Sequence, residues 1–167
     1  MFRVLLIAAV ASTLLGSNCH ASDDVTAKSP MNAEEAELRK YLLETIDRFN
    51  KHEIRPASSP GFTPDADFVN VEGRWMRGLE EIRRVHTAAS KGWLKDANIK
   101  LIELKIRFIR PDVAIVHQLH EMTGLRHPDG TLLPLHQEIS TRVLVKEPGE
   151  WITTAFQNMI VDSRPAR

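Results

Sequence analysis

The second half of this chain restricts its fold more than any other feature. From residue 98 onward it offers runs of side chains that alternate with the period of a β-strand, separated by turn residues. Residues 98–108 alternate through Ile102, Leu104, Ile106 and Phe108, and Pro111-Asp112 turns the chain into a second run at 113–122. After a connection bearing Gly124, Pro128 and Gly130, the runs 136–146 and 151–161 are joined by Glu147-Pro148-Gly149-Glu150, a strong turn sequence. Side chains on a strand alternate between faces, so Val113, Ile115, His117 and Leu119 share one face and Ala114, Val116, Gln118 and His120 the other. In the last run Ile152, Thr154, Phe156, Asn158 and Ile160 oppose Trp151, Thr153, Ala155, Gln157 and Met159. Neither face is fully polar, as one wetted by solvent would be. Helices are therefore expected on one face, and a second copy of the chain on the other.

The first half supplies those helices. Leu38, Tyr41, Leu42, Thr45, Ile46 and Phe49 recur at spacings of three and four, and Asn32 with Glu35 resembles a capping box, so a helix is expected over 33–51. Pro56, Pro60, Gly61 and Pro64 exclude a long helix over 53–63. Residues 67–77 read as two short strands bent at Gly73. Gly78 then opens a second helix with Leu79, Ile82, Val85 and Ala89 as its apolar stripe, ending near Gly92. Helices followed by an antiparallel sheet make the class α+β.

Residues 1–21 have the layout of a secretory signal peptide: Arg3, an apolar run over 4–15, then Cys19-His20-Ala21 before Ser22. The run is too short to span a bilayer, so no stable membrane insertion is expected. Cleavage after Ala21 predicts a secreted or periplasmic protein, and it removes the single cysteine, leaving no disulfide. Residues 22–31 read as a flexible lead, 32–163 as one domain and 164–167 as a tail. With 22 basic and 22 acidic side chains, the chain lacks the basic surplus of a nucleic-acid binder.

Three segments resemble a known family: DADFVNVEGRWMRGLEEI at 65–82, IRFIRPDVAIVH at 106–117 and EWITTAFQNMIV at 150–161. They are similar to the SgcJ/EcaC-type branch of the nuclear-transport-factor-2-like, SnoaL-like superfamily, over roughly residues 38–161. The resemblance implies a cone-shaped, strongly curved sheet wrapped around the helices, a small-molecule pocket inside, and an outer sheet face available for a homodimer. It also implies that His117, Arg142 and Asn158 line the pocket. The superfamily hosts isomerases, cyclases, dehydratases, ligand binders and assembly domains, so fold does not settle activity. No cofactor is implied; the G-x-G-x-x-G of a dinucleotide site is missing. The stretch 55–64 departs from the family pattern, which has a short helix there.

Several side chains carry candidate chemistry. A spacing of three puts His117 and His120 on opposite strand faces, so they cannot share a metal, and no metal site is expected. Phe156 and Trp75 are expected as pocket or core walls, and Trp151 as packing on the outer face. Arg142, among residues expected to be buried, needs an anionic or acceptor partner: Glu138, Glu121, or a ligand carboxylate or carbonyl. By the resemblance, His86 reaches the pocket. Ketosteroid isomerisation needs an aspartate base; by alignment that position holds Asn70, and the helix tyrosine position holds Thr45, with Tyr41 one turn earlier. Any acid–base pair would then come from His86, His117 and Asp67. The leading expectation is a domain binding a small polar or anionic molecule. The alternatives are a cofactor-independent lyase, isomerase or cyclase, and an assembly module with a vestigial pocket.

Overall fold

The structure, a computed structural model, describes residues 30–53 and 61–161; the segment read as a signal peptide, most of the expected lead, residues 54–60 and the expected tail lie outside the described residues. Two helices and six strands follow in the order α1 (Pro30–Asn50), β1 (Phe62–Val69), β2 (Trp75–Arg77), α2 (Gly78–Lys91), β3 (Asn98–Arg110), β4 (Val113–Thr123), β5 (His136–Glu147) and β6 (Glu150–Ile160). The strands form one mixed sheet in the order β2-β1-β6-β5-β4-β3. Every pairing is antiparallel except β1 with β6, which run parallel. That one parallel pairing amends the expected antiparallel sheet and leaves the α+β class intact.

α1 starts earlier than its capping pattern indicates. Pro30, lacking an N–H the first turn would leave unused, is its first residue, so the lead is shorter than expected. Leu38 and Leu42 are fully buried against Ala114, Val116, Leu144 and Trp151, with Tyr41, Leu104, Ile106 and Phe108 packed around them. At the end of α1, Asn50 clasps β3: its Nδ2 donates to Ile99 O at 2.9 Å and its Oδ1 accepts from Ile99 N at 2.8 Å. At the other end Lys146 of β5 donates to Glu34 and Glu37. α2 lays Ile82 and Val85 on Ala66, Phe68 and Met76 of β1 and β2. A third cluster, Ala97, Met122 and Leu125 with Phe49 and Leu94 packed on it, closes the sheet's far end. There Gly124 is required, because at its φ of +76° a side chain is strained and a Cβ would lie 1.9 Å from Asp96 O.

The register corrects two expectations about faces. Val116 stands opposite Arg142, which stands opposite Phe156, so the helix-covered face of β4 carries Ala114, Val116, Gln118, His120 and Met122. His117 is on the other, open face. β6 carries one residue more than β5 at this point: Val143 pairs with Ala155 but Leu144 with Thr153, leaving Thr154 as a bulge. The bulge reverses the alternation, so Trp151 and Thr153 join Phe156 and Asn158 on the helix-covered face. Trp151 is therefore core and not outer-face packing, with 1% of its surface exposed.

Candidate functional site

Between the strips of sheet covered by α1 and α2, the rungs of the ladder bring polar side chains inside. One rung holds Val116, Arg142, Phe156 and Phe68; the next holds Gln118, Ser140 and Asn158; the next holds His120 and Glu138. Gln118, His120, Glu138 and Ser140 are all buried. Polar groups in such positions must satisfy one another.

Glu138 is the hub that satisfies them. Asn158 Nδ2 donates to its Oε2 at 2.7 Å, His136 Nε2 lies 3.0 Å from its Oε1, and His120 Nε2 lies 3.6 Å from its Oε2. Gln118 Nε2 sits 3.3 Å from His120 Nδ1. An amide N–H can only donate, so Nδ1 accepts and the His120 proton resides on Nε2, directed at the carboxylate. His136 Nδ1 faces Pro134 O at 3.2 Å, so both nitrogens of that ring lie against acceptor oxygens. Burial pushes the Glu138 carboxyl up, but the bonds from His120, His136 and Asn158 outweigh it and hold it below the usual glutamate range.

Two rungs away, the chemistry changes from carboxylate to cation. The Arg142 guanidinium lies over the Phe156 ring, 5.0 Å from its centroid. Phe156 stacks on Phe68 at 4.5 Å, and His86 of α2 meets Phe68 edge-on at 4.8 Å. Burial, and then the positive charge of Arg142, hold His86 below the usual imidazole range, so it is neutral at neutral pH. Of the two carboxylates expected for Arg142, Glu138 is bonded as above and Glu121 pairs with Lys100 at 3.1 Å.

Of the residues singled out in the sequence, Arg142, Asn158, Phe156 and His86 meet on this face, and His117, Trp75 and Asp67 do not. His117 is exposed on the open face, 3.2 Å from Thr141 Oγ1. Trp75 is half exposed on the edge strand β2; its indole N–H donates to Asp67 Oδ1 at 2.6 Å and Arg77 covers its ring. Asp67 thus serves a surface contact and not an acid–base pair. Tyr41 packs beside the α1 core cluster. Asn70 organises the turn before β2, its Oδ1 accepting from Glu72 N and Arg74 N. Sequence reasoning missed Gln118, His120, His136, Glu138 and Ser140. Their signal was a set of polar residues at alternate positions of two runs too apolar to be surface strands.

Among the described residues no three His, Cys, Asp or Glu side chains are placed to hold a metal ion, and no helix is long and apolar enough to cross a membrane. An open depression of about 300 Å³ beside α1, lined by Asn32, Glu35, Ala36 and Arg39, is separate from the site, and its Glu35 and Arg39 pair with each other at 3.1 Å.

Two helices against a curled six-stranded mixed sheet define a cystatin-like, nuclear-transport-factor-2-like fold. Solved structures share it. A protein with a cystatin-like fold from Caulobacter vibrioides is 25% identical with a TM-score of 0.67, covering 78% of this chain and 92% of that one. A ketosteroid isomerase-like protein from Erwinia carotovora atroseptica is 19% identical with a TM-score of 0.64, covering 78% and 98%. A candidate dehydratase of the nuclear-transport-factor-2-like family from Streptomyces avermitilis is 14% identical with a TM-score of 0.66, covering 78% and 97%. No protein-family model and no curated protein matches the chain.

Proposed function

We propose that this chain is a secreted or periplasmic homodimer of the SgcJ/EcaC-type branch that binds a small anionic organic molecule on its helix-covered face. The observation that carries the binding reading is Arg142. It places a positive charge on the helix-covered face, against the Phe156 ring and near a neutral His86. A guanidinium among apolar surfaces is a receptor for a carboxylate or carbonyl. The branch and the export rest on the three sequence segments and on the layout of residues 1–21.

The dimer is supported by the open face. Ile115, Leu119, Ile139, Val143 and Met159 sit there on three adjacent strands, and Ile139 and Met159 are 38% and 53% exposed. Lys100, Glu103, Lys105 and Arg107 of β3 border this patch with charge. An apolar centre with a charged rim suits a self-complementary interface.

A second reading, a lyase or isomerase working by histidine acid–base chemistry, is favoured by one arrangement: the Gln118–His120–Glu138 chain, in which a carboxylate orients an imidazole. The test of the binding reading is calorimetric titration of phenylacetate into the wild type and Arg142→Leu. We expect binding to weaken about ten- to a hundred-fold, the worth of one charge-assisted hydrogen bond, ~1.5–3 kcal/mol. Equal affinity, or no wild-type binding, overturns it.

A further inference from the structure

On the open face the register of β3, β4, β5 and β6 sets side chains in three rows. The middle row is Lys105, His117, Thr141 and Gln157, all exposed. One flanking row is Glu103, Leu119, Ile139 and Met159; the other is Arg107, Ile115, Val143 and Ala155. The face is therefore a palindrome in its chemistry. On either side of the polar row β4, β5 and β6 carry apolar side chains, and β3 carries a charge whose sign reverses. Charges farther along β3 are met within the copy, Lys100 by Glu121 and Arg110 by Asp112. Glu103 and Arg107, four residues and ~13 Å apart on the strand, form no ion pair among the described residues.

We infer that the second copy packs on this face about a two-fold axis lying along the Lys105–Gln157 row. This rests on the homodimer reading above and adds to it the arrangement of the two copies. A half-turn about that row exchanges the flanking rows, so apolar side chains meet apolar ones and each Glu103 meets the partner's Arg107. Thr141 and Gln157 then face their own counterparts, and a hydroxyl or an amide both donates and accepts, so each can bond its own copy. Lys105 stands at the β3 end of the row, where its long stem keeps the charge in water. An axis along the strands, between β5 and β6, would instead set Ile115 on the partner's Asp67, a carboxylate against an apolar side chain.

Charge reversal read by sedimentation equilibrium on the full chain tests this. Glu103→Arg and Arg107→Glu each replace two attractive contacts by two like-charge ones, and each is expected to weaken the dimer about tenfold or more. The double variant, with the two charges exchanged, should return to within about threefold of wild type. The single variants shift net charge in opposite directions, so a loss common to both is not an effect of net charge. A wild-type dimer that Val143→Glu breaks but neither reversal weakens overturns the axis while leaving the dimer standing. So does a double variant no tighter than the single ones. A monomeric wild type, or a dimer indifferent to Val143→Glu, overturns both. Glu103 and Arg107 are exposed, so neither reversal strikes the core. Should one fail to fold, Glu103→Gln and Arg107→Gln decide. Each is expected to weaken the dimer about threefold and the two together no more than one alone; independent or absent effects overturn the axis.

Discussion

Replacing Glu138 by glutamine keeps the size of the side chain and removes its charge. In the wild type the carboxylate accepts from Asn158 Nδ2 at 2.7 Å and faces His136 Nε2 at 3.0 Å, with His120 Nε2 farther at 3.6 Å. A hydrogen bond to a charged group contributes ~1.5–3 kcal/mol and a neutral one ~0.5–1.5, so two short bonds turned neutral cost about 2–3 kcal/mol. The amide also turns an N–H towards one of the donors it replaces, which adds to the cost. For a domain of this size that lowers the melting temperature by ~4–12 °C. The pH dependence carries the sharper test. The folded carboxyl is held below its ordinary value, so its stabilisation is fully present above the unfolded glutamate pKa, ~4.3, and is lost as pH falls through the lower folded value. Urea unfolding followed by Trp fluorescence from pH 7.5 to 3.5 should show Glu138→Gln less stable at neutral pH and the two proteins converging in acid. A variant within about 0.5 kcal/mol of wild type at pH 7.5, the spread of ordinary surface changes, would refute the hub role of Glu138. A constant gap across the pH range would show that the loss is one of packing.

Other outcomes follow from the same geometry. Thr153 is fully buried and its Oγ1 lacks a partner among the described residues, so Thr153→Val should leave stability unchanged or raise it by about 1 kcal/mol in urea unfolding; a comparable loss would mean that the hydroxyl is bonded. Val143→Glu, on the open face between Ile115 and Ala155, should convert a dimer to a monomer in sedimentation, and a monomeric wild type would refute the dimer. Val116 of β4 would not serve for that experiment, since it is buried beneath α1 and a charge there attacks the core.

The order and type of the elements were legible because each rests on a local pattern: the α1 and α2 stripes, the break at Gly73, and the Pro148-Gly149 turn. Which face of β4 turned inward was not. Val113, Ile115 and Leu119 are bulkier and more apolar than Ala114 and Val116, with Gln118 and His120 on the latter face, so hydrophobicity alone favours the wrong side. Register would have settled it, and the start of β5–β6 shows how: the tight turn pairs Glu147 with Glu150 and sets Trp151 and Thr153 on the face of Leu144 and Arg142, which Phe156 and Asn158 then join only through the bulge. The long connection over 124–135 gives β4 no such anchor. His117 was misplaced and the Glu138 cluster missed for this one reason.

The bulge at Thr154 is the other feature that no alternation pattern displays, and it can be tested directly. Because of it, Trp151 and Thr153 share a face with Phe156 and Asn158 although their numbers differ in parity. Deleting Thr154 restores strict alternation, which keeps either Trp151 or Phe156 inside but not both. Trp151 is fully buried against Leu38, Leu42 and Leu144, and Phe156 stacks on Phe68, so whichever leaves forfeits the packing of a large aromatic side chain, ~3–5 kcal/mol. That is a large share of the ~5–15 kcal/mol that holds a typical domain together. The deletion should therefore abolish near-ultraviolet circular dichroism and cooperative unfolding, or shift the urea midpoint by most of its range. Alanine at 154 keeps the residue count, loses only the contact with Thr63 Oγ1 at 3.4 Å, and should stay close to wild type. A deletion as stable as the alanine variant would mean that β6 can slip its register without loss, and that the bulge does not set which side chains line the site.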